Sequence, residues 1–256
     1  MESNFSIKDT SLFWKVRGES LWLEPWGPDA VRVRATLQPS FTITPGGLTE
    51  QPPGATPQVA IHDQYAELIN GKLRAMVDAD GRLHFFNSQS GALLFEEPMR
   101  HFYNPPQRSF RATSSEMYHL EVCFEAQPGE RFYGLGQHQH GRLDQKGCVI
   151  ELQQRNTEVC IPFALSNRGY GFLWNNPALG RVELAENVTR WVAETTRQLD
   201  YLVIAGDTPA DIVAGYVAAT GKPPLLPEWA LGFWQCKLRY RTQDELLNVA
   251  REYKRR

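Results

Sequence analysis

Two pairs of residues in this sequence have the type and spacing for chemistry. His119 and Glu121 lie two positions apart in an alternating run, where they could serve as the acid and the base of a proton transfer. His138 and His140 have the spacing of two metal ligands on one strand face. Nothing nearby completes a tetrahedral ligand set, so the sequence favours polar loop contacts for this pair and predicts no metal site.

Other candidate motifs have structural explanations. Gly134-Leu135-Gly136 lacks the third glycine and the following helix of a phosphate-binding loop. Asp244 and Glu245 are adjacent carboxylates, but with Thr242 they form a capping box, which begins a helix. Trp174-Asn175-Asn176 could form a platform for a sugar, although the apolar residues before it favour the end of a core strand.

The elements that must position these residues are mostly strands. From residue 10 to about 205, short alternating runs are separated by turn residues. The runs 65–69 and 73–77 flank Asn70-Gly71 and predict a hairpin, and Asp80-Gly81 leads into the next strand. Further strands are predicted at 31–37, 118–124, 158–163, 170–174, 190–194 and 198–204. This mainly β pattern, without interleaved helices, predicts a large two-sheet β-sandwich with an excursion loop over 39–57.

The pattern changes after Gly206. Thr208 suits an N-cap and Pro209 the first helical position, which predicts a helix over about 208–221 that ends at Gly221. The apolar run 230–235 does not alternate, as expected of a strand buried on both faces. The capping box and a stripe of apolar residues then predict an amphipathic helix up to the last residues.

These elements predict two domains, a β-sandwich with its C-terminal helix over 1–222 and the first β/α unit of a (β/α)8 barrel over 223–256. One unit cannot close such a barrel, which needs about 250 residues. We therefore expect a truncated barrel. The alternative is that 227–256 packs on the sandwich as an α/β appendage.

Composition limits the class of partner. The 256 residues carry a formal net charge of −2, with no positive excess to neutralise phosphates, and no run approaches the ~18 apolar residues of a membrane helix. We expect no nucleic-acid or membrane partner, and the start of the chain, which has no signal-peptide pattern, predicts a cytoplasmic protein. The four cysteines form no C-x-x-C pair, which predicts reduced, packed thiols. They are Cys123, Cys148, Cys160 and Cys236.

Several longer runs resemble glycoside hydrolase family 31 in order and spacing. They are Glu130 to Gln137, Ile161-Pro162-Phe163, Ser166 to Pro177 and Pro227 to Gln235. Within the family, 143–147 and 154–157 look most like α-xylosidases, then α-glucosidases and α-transglucosylases. The resemblance implies a galactose-mutarotase-like β-sandwich beside a (β/α)8 barrel, without metal or organic cofactor, and a carbohydrate substrate with α-linked xylose or glucose that is hydrolysed with retention.

The resemblance also implies where the functional residues lie. Retaining glycosidases use two carboxyl groups, and in this family both are aspartates after later barrel strands. Neither position exists in this chain, so no catalytic residue is assigned and the chain alone is expected to be inactive. Barrel enzymes act at the carboxyl ends of their strands, which points to the loop from Gln235 to Arg241. Tyr240 would shape the sugar subsite, or else cover the helix start; Arg239 and Gln235 could donate to sugar hydroxyls, although a solvated Arg239 is favoured.

A second class of function stays open. The chain could be a freestanding sugar-binding or mutarotase-like module, whose chemistry would need an acid and a base in one cleft. His119 and Glu121 are the candidates for it. Codons for further β/α units beyond Arg256 would favour the glycosidase.

Overall fold

The protein consists of two compact units, Met1–Gly221 and Lys222–Arg256. The computed structural model describes residues 4–43, 46–54, 56–99 and 106–256. The strands are β1 (Phe5–Lys8), β2 (Ser11–Val16), β3 (Glu19–Trp26), β4 (Ala30–Thr36), β5 (Gln58–Ile61), β6 (Tyr65–Asn70), β7 (Leu73–Asp78), β8 (Leu83–Asn87), β9 (Leu93–Glu96), β10 (Arg108–Ala112), β11 (Tyr118–Glu125), β12 (Phe132–Gln137), β13 (Val149–Leu152), β14 (Val159–Ser166), β15 (Tyr170–Trp174), β16 (Gly180–Leu184), β17 (Val188–Thr196) and β18 (Leu199–Ala205). The helices are α1 (Pro209–Thr220), a 3₁₀ helix (Glu228–Leu231) and α2 (Gln243–Arg255).

The strands of the first unit form antiparallel sheets. One sheet has eight strands in the order β1-β2-β3-β4-β18-β15-β14-β12, and two have five strands each, in the orders β10-β11-β17-β16-β13 and β5-β6-β7-β8-β9. The described residues thus form three sheets, whereas the sequence predicted two. Alternation shows which face of a strand is buried, but it does not show which strands pair. Here the β5–β9 meander forms a separate sheet.

One hydrophobic core draws residues from all three sheets. At its centre the ring of Phe172 stacks on Trp191 and on Tyr201, with centroids 4.7 Å from each. In β18 every residue is buried. Alternate residues of that strand face the main core, and Leu202 and Ile204 pack with Ile212 of α1 in a second cluster. The predicted core role of Trp174, which is 1% exposed, is confirmed.

The helix predicted after Gly206 is confirmed with its caps. The Thr208 side chain accepts from the backbone N–H of Asp211, and the Asp211 side chain accepts from the N–H of Thr208. Two of the donors that a helix start leaves unpaired are satisfied in this way. Gly221 ends the helix at φ 97°, a conformation that favours glycine.

The strand predicted over 230–235 is wrong in the described structure. Glu228–Leu231 forms a 3₁₀ helix, and the residues after it are irregular up to α2. A strand buried on both faces needs paired neighbours, and the described part of the second unit contains no other strand. The run instead forms a hydrogen bond within itself: the indole N–H of Trp234 donates to the carbonyl of Ala230 at 2.9 Å.

The final helix is confirmed, but its predicted capping box forms only in part. The Thr242 hydroxyl accepts from the N–H of Glu245 at 3.1 Å. The Glu245 carboxylate accepts from the N–H of Arg241 at 2.9 Å, one residue before the expected donor. No residue of α2 is buried within the chain. Among the helices described, none has the length and apolar character to cross a bilayer.

The cysteines are free, and three of them fit the predicted packing. Cys123 and Cys160 are buried and Cys148 is half-buried. Cys236 is exposed, which corrects the prediction that all four are packed. It lies in the second unit, whose short chain buries few side chains.

Candidate functional site

The loop from Gln235 to Arg241 connects the 3₁₀ helix to α2 without regular structure. The side-chain amide of Gln235 joins the loop to the helix. Its Oε1 accepts from the hydroxyl of Tyr253 at 2.7 Å, and its Nε2 donates to Tyr240 Oη at 3.3 Å. The structure therefore brings two of the predicted residues, Gln235 and Tyr240, together.

Tyr240 is half-buried and lies beneath a charged group. The Lys237 ammonium is 5.6 Å from the centroid of its ring, within range of a cation–π interaction. Lys237 also pairs with Glu245 of α2. Their hydrogen bond raises the pKa of Lys237 and lowers the pKa of Glu245. Both groups therefore stay charged at neutral pH, and the loop is tied to the start of the helix.

Arg239 is not part of this arrangement. Its side chain is exposed, and no carboxylate pairs with it among the residues that the structure describes. This agrees with the solvated role that the sequence favoured.

A groove of about 550 Å³ adjoins Gln235. It is lined by Gln235, Asn248, Val249, Glu252, Tyr253 and Arg256.

Tyr253 is the residue at this site that the sequence did not identify. It occupies a position in the apolar stripe of α2, which indicates a core role, yet its side chain is 53% exposed. Its ring lies 5.3 Å from that of Phe233, and its hydroxyl reaches Gln235. The sequence carried one usable signal, because a tyrosine in an apolar stripe keeps a polar tip that needs a partner.

His119 is engaged at both ring nitrogens. Nε2 lies 3.1 Å from Glu121 Oε1 within β11, and Nδ1 lies 3.2 Å from Glu194 Oε2 on the neighbouring β17. A general acid or base needs a nitrogen that can reach its substrate. The pair proposed for proton transfer is therefore held in polar contacts within and between neighbouring strands, which disfavours mutarotase-like chemistry.

The remaining motifs also have structural roles. His138 Nε2 lies 2.8 Å from the carbonyl of Leu135, and within the described ranges no three His, Cys, Asp or Glu side chains group as metal ligands. The Gly134-Leu135-Gly136 segment lies in a bulge where β12 pairs with β14. A Cβ on Gly136 would approach the carbonyl of Val159 to 1.9 Å, so this glycine permits close backbone pairing.

Comparison with protein families decides the assignment of the chain. Residues 21–183 match the glycosyl hydrolase 31 N-terminal galactose mutarotase-like domain. Residues 223–256 match the glycosyl hydrolases family 31 TIM-barrel domain. The chain belongs to glycoside hydrolase family 31. The predicted family and the mainly β, mutarotase-like sandwich are thereby confirmed.

Individual relatives of this family 31 chain share most of its length. A family 31 glucosidase of Pseudescherichia vulneris, described as uncharacterized, is 41% identical over 95% of this chain and 49% of its own length. An α-xylosidase of Saccharolobus solfataricus is 45% identical over 54% of this chain and 20% of its own length. The chain thus spans about half the length, or less, of these curated relatives.

A solved structure matches nearly the whole chain. The crystal structure of a family 31 α-xylosidase from a soil metagenome, complexed with xylose, matches with a TM-score of 0.91 and 45% identity. The match covers 99% of this chain and 40% of that chain.

Proposed function

We propose that this chain is the N-terminal part of a retaining α-glycosidase that removes α-linked xylose, with α-linked glucose as the second candidate substrate. The likeness to the α-xylosidase complexed with xylose carries the proposal, because it spans 99% of the chain at 45% identity. The α-xylosidase of Saccharolobus solfataricus, at 45% identity, supports the same substrate class.

In this proposal the first unit is a supporting domain, and the second unit begins the catalytic barrel. Residues 223–256 match the barrel domain, and the loop from Gln235 to Arg241 follows the run 230–235, which would form the first barrel strand in the whole enzyme. Barrel enzymes bind substrates at the carboxyl ends of such strands. The aromatic face of Tyr240 suits the C–H groups of a sugar ring, and Arg239 is free to donate to sugar hydroxyls.

The chemistry itself requires groups beyond these. A retaining mechanism needs one carboxyl group to attack the anomeric carbon and a second, about 5 Å away, to protonate the leaving oxygen. We assign neither role to a residue of this chain. The 256-residue polypeptide is therefore expected to bind sugar weakly and to hydrolyse no glycoside.

A chimeric enzyme tests this proposal. The matching N-terminal 40% of the soil-metagenome α-xylosidase would be replaced with this chain, and hydrolysis of 4-nitrophenyl α-xyloside and α-glucoside measured. We expect the chimera to hydrolyse the xyloside. In the chimera, Tyr240→Ala should raise the KM for the xyloside. The 256-residue chain alone should release no product. Release of sugar by the chain alone, or a folded chimera that is inactive on both substrates, would contradict the proposal.

A further inference from the structure

A directed chain of hydrogen bonds runs through Tyr253, Gln235 and Tyr240. The side-chain nitrogen of Gln235 also lies 3.3 Å from the carbonyl of Cys236, which can only accept, so this contact fixes the nitrogen on the loop side of the amide. Oε1 then faces the helix and accepts from the hydroxyl of Tyr253 at 2.7 Å. The amide nitrogen then faces the loop and donates to Tyr240 Oη at 3.3 Å. The hydrogen bonds therefore run in one direction, from Tyr253 through Gln235 to Tyr240.

We propose that Gln235 and Tyr253 are positioning residues, which hold Tyr240 so that its hydroxyl proton points to a ligand. Tyr240 Oη accepts the Gln235 amide, and its own O–H remains free to donate. The ligand is a neutral sugar that offers an acceptor oxygen, either a hydroxyl or an acetal oxygen. This inference rests on the proposed function, in which Tyr240 contacts the sugar.

The arrangement changes the role that the sequence predicted for Gln235. Its Oε1 is taken by Tyr253, and its Nε2 is shared between Tyr240 Oη and the carbonyl of Cys236, both at 3.3 Å. No donor of this amide is left for a sugar hydroxyl. Gln235 acts on the ligand through Tyr240.

Further contacts hold the two ends of the hydrogen-bond chain. Phe233 packs on Tyr253 with ring centroids 5.3 Å apart, which limits where the Tyr253 hydroxyl can point. At the other end, Lys237 covers one face of the Tyr240 ring and is itself held by Glu245 of α2. The opposite ring face is the one left to a sugar.

The hydrogen-bond chain can be tested by NMR on the 256-residue protein. The side-chain amide signal of Gln235 is assigned by its loss in Gln235→Ala, and the ring motion of Tyr240 is followed by ¹³C relaxation. We expect Tyr253→Phe to shift the Gln235 signal and to increase the motion of the Tyr240 ring. Asn248→Ala, on the same helix, is the matched control and should change neither, and thermal unfolding should be equal in all variants. Unchanged Gln235 and Tyr240 signals in Tyr253→Phe would overturn the proposal.

A titration with methyl α-xyloside separates this inference from the proposed function. If the NMR signals of the Tyr240 ring shift when the xyloside is added, Tyr253→Phe is expected to weaken binding by about threefold to tenfold, the effect of one hydrogen bond. Equal affinity in wild type and Tyr253→Phe would overturn the positioning role. A wild-type Tyr240 that does not respond would count against its proposed contact with sugar, and the positioning role would then be decided by the amide and ring measurements.

Discussion

At the scale of single residues, Arg108 connects the three sheets of the first unit. It lies in β10 with 2% of its side chain exposed. Its guanidinium donates to Glu19 of β3 at 2.5 Å, to the buried Glu97 next to β9 at 2.6 Å, and to the carbonyl of Gly81 at 2.9 Å. A buried charge on one sheet is therefore paired by residues of the eight-stranded sheet and of the turns and ends of the β5–β9 sheet.

Replacing Arg108 with leucine should be strongly destabilising. Glu97 has no exposed surface, and without Arg108 its charge would stay buried and unpaired. Removal of one partner from a buried ion pair costs about 3–5 kcal/mol. Urea unfolding measures the change. The matched control is Arg197→Leu, because Arg197 forms an exposed pair with Glu116 and should lose less than about 1 kcal/mol. Equal, small losses in both variants would show that Arg108 does not connect the sheets energetically.

At the scale of elements, sequence reasoning succeeded where the signal is local. The alternation around Asn70-Gly71 predicted β6 and β7, and Thr208 with Pro209 predicted the start of α1, since turns and caps involve residues close in sequence. It failed for 230–235, because a buried strand depends on partners elsewhere in the chain. The same limit applies to the candidate site, where the loop was predicted but the bond from Tyr253 to Gln235, across 18 residues, was not.

The two N-cap threonines allow a matched test of helix capping. Thr208→Ala removes the cap of α1, which packs on the sandwich, and should lower the free energy of unfolding by about 0.5–2 kcal/mol. Thr242→Ala removes the equivalent cap of α2, which belongs to the second unit. It should reduce helical circular dichroism and leave the main unfolding transition unchanged. A similar loss in the main transition for both variants would mean that the two units unfold together.

At the scale of the whole molecule, the units differ in how much apolar surface they bury. The first unit holds the cores described above, whereas large apolar side chains of the second remain accessible. Among these, Trp229 is 72%, Phe233 74% and Trp234 68% exposed. Clustered apolar surface of this kind promotes association or capture by a partner.

Shortening the chain tests the consequence of that surface. A polypeptide of residues 1–222 should keep the cooperative unfolding transition of the sandwich, bind less of an apolar dye such as ANS, and be more soluble than residues 1–256. Dye fluorescence and the concentration of protein that remains after centrifugation measure these differences. If the longer chain is equally soluble and binds no more dye, the apolar side chains of the second unit are covered in solution.

The pairing of β4 with β18 has a consequence for synthesis on the ribosome. Val33 of β4 pairs with Tyr201 of β18 in the middle of the eight-stranded sheet. Because Tyr201 is synthesised roughly 170 residues after Val33, this pairing forms late. At ordinary elongation rates that delay is roughly 10–30 s. During this time the nascent chain carries an open β4 edge that can pair with other chains. A shortage of chaperones during translation should therefore lower the yield of soluble protein.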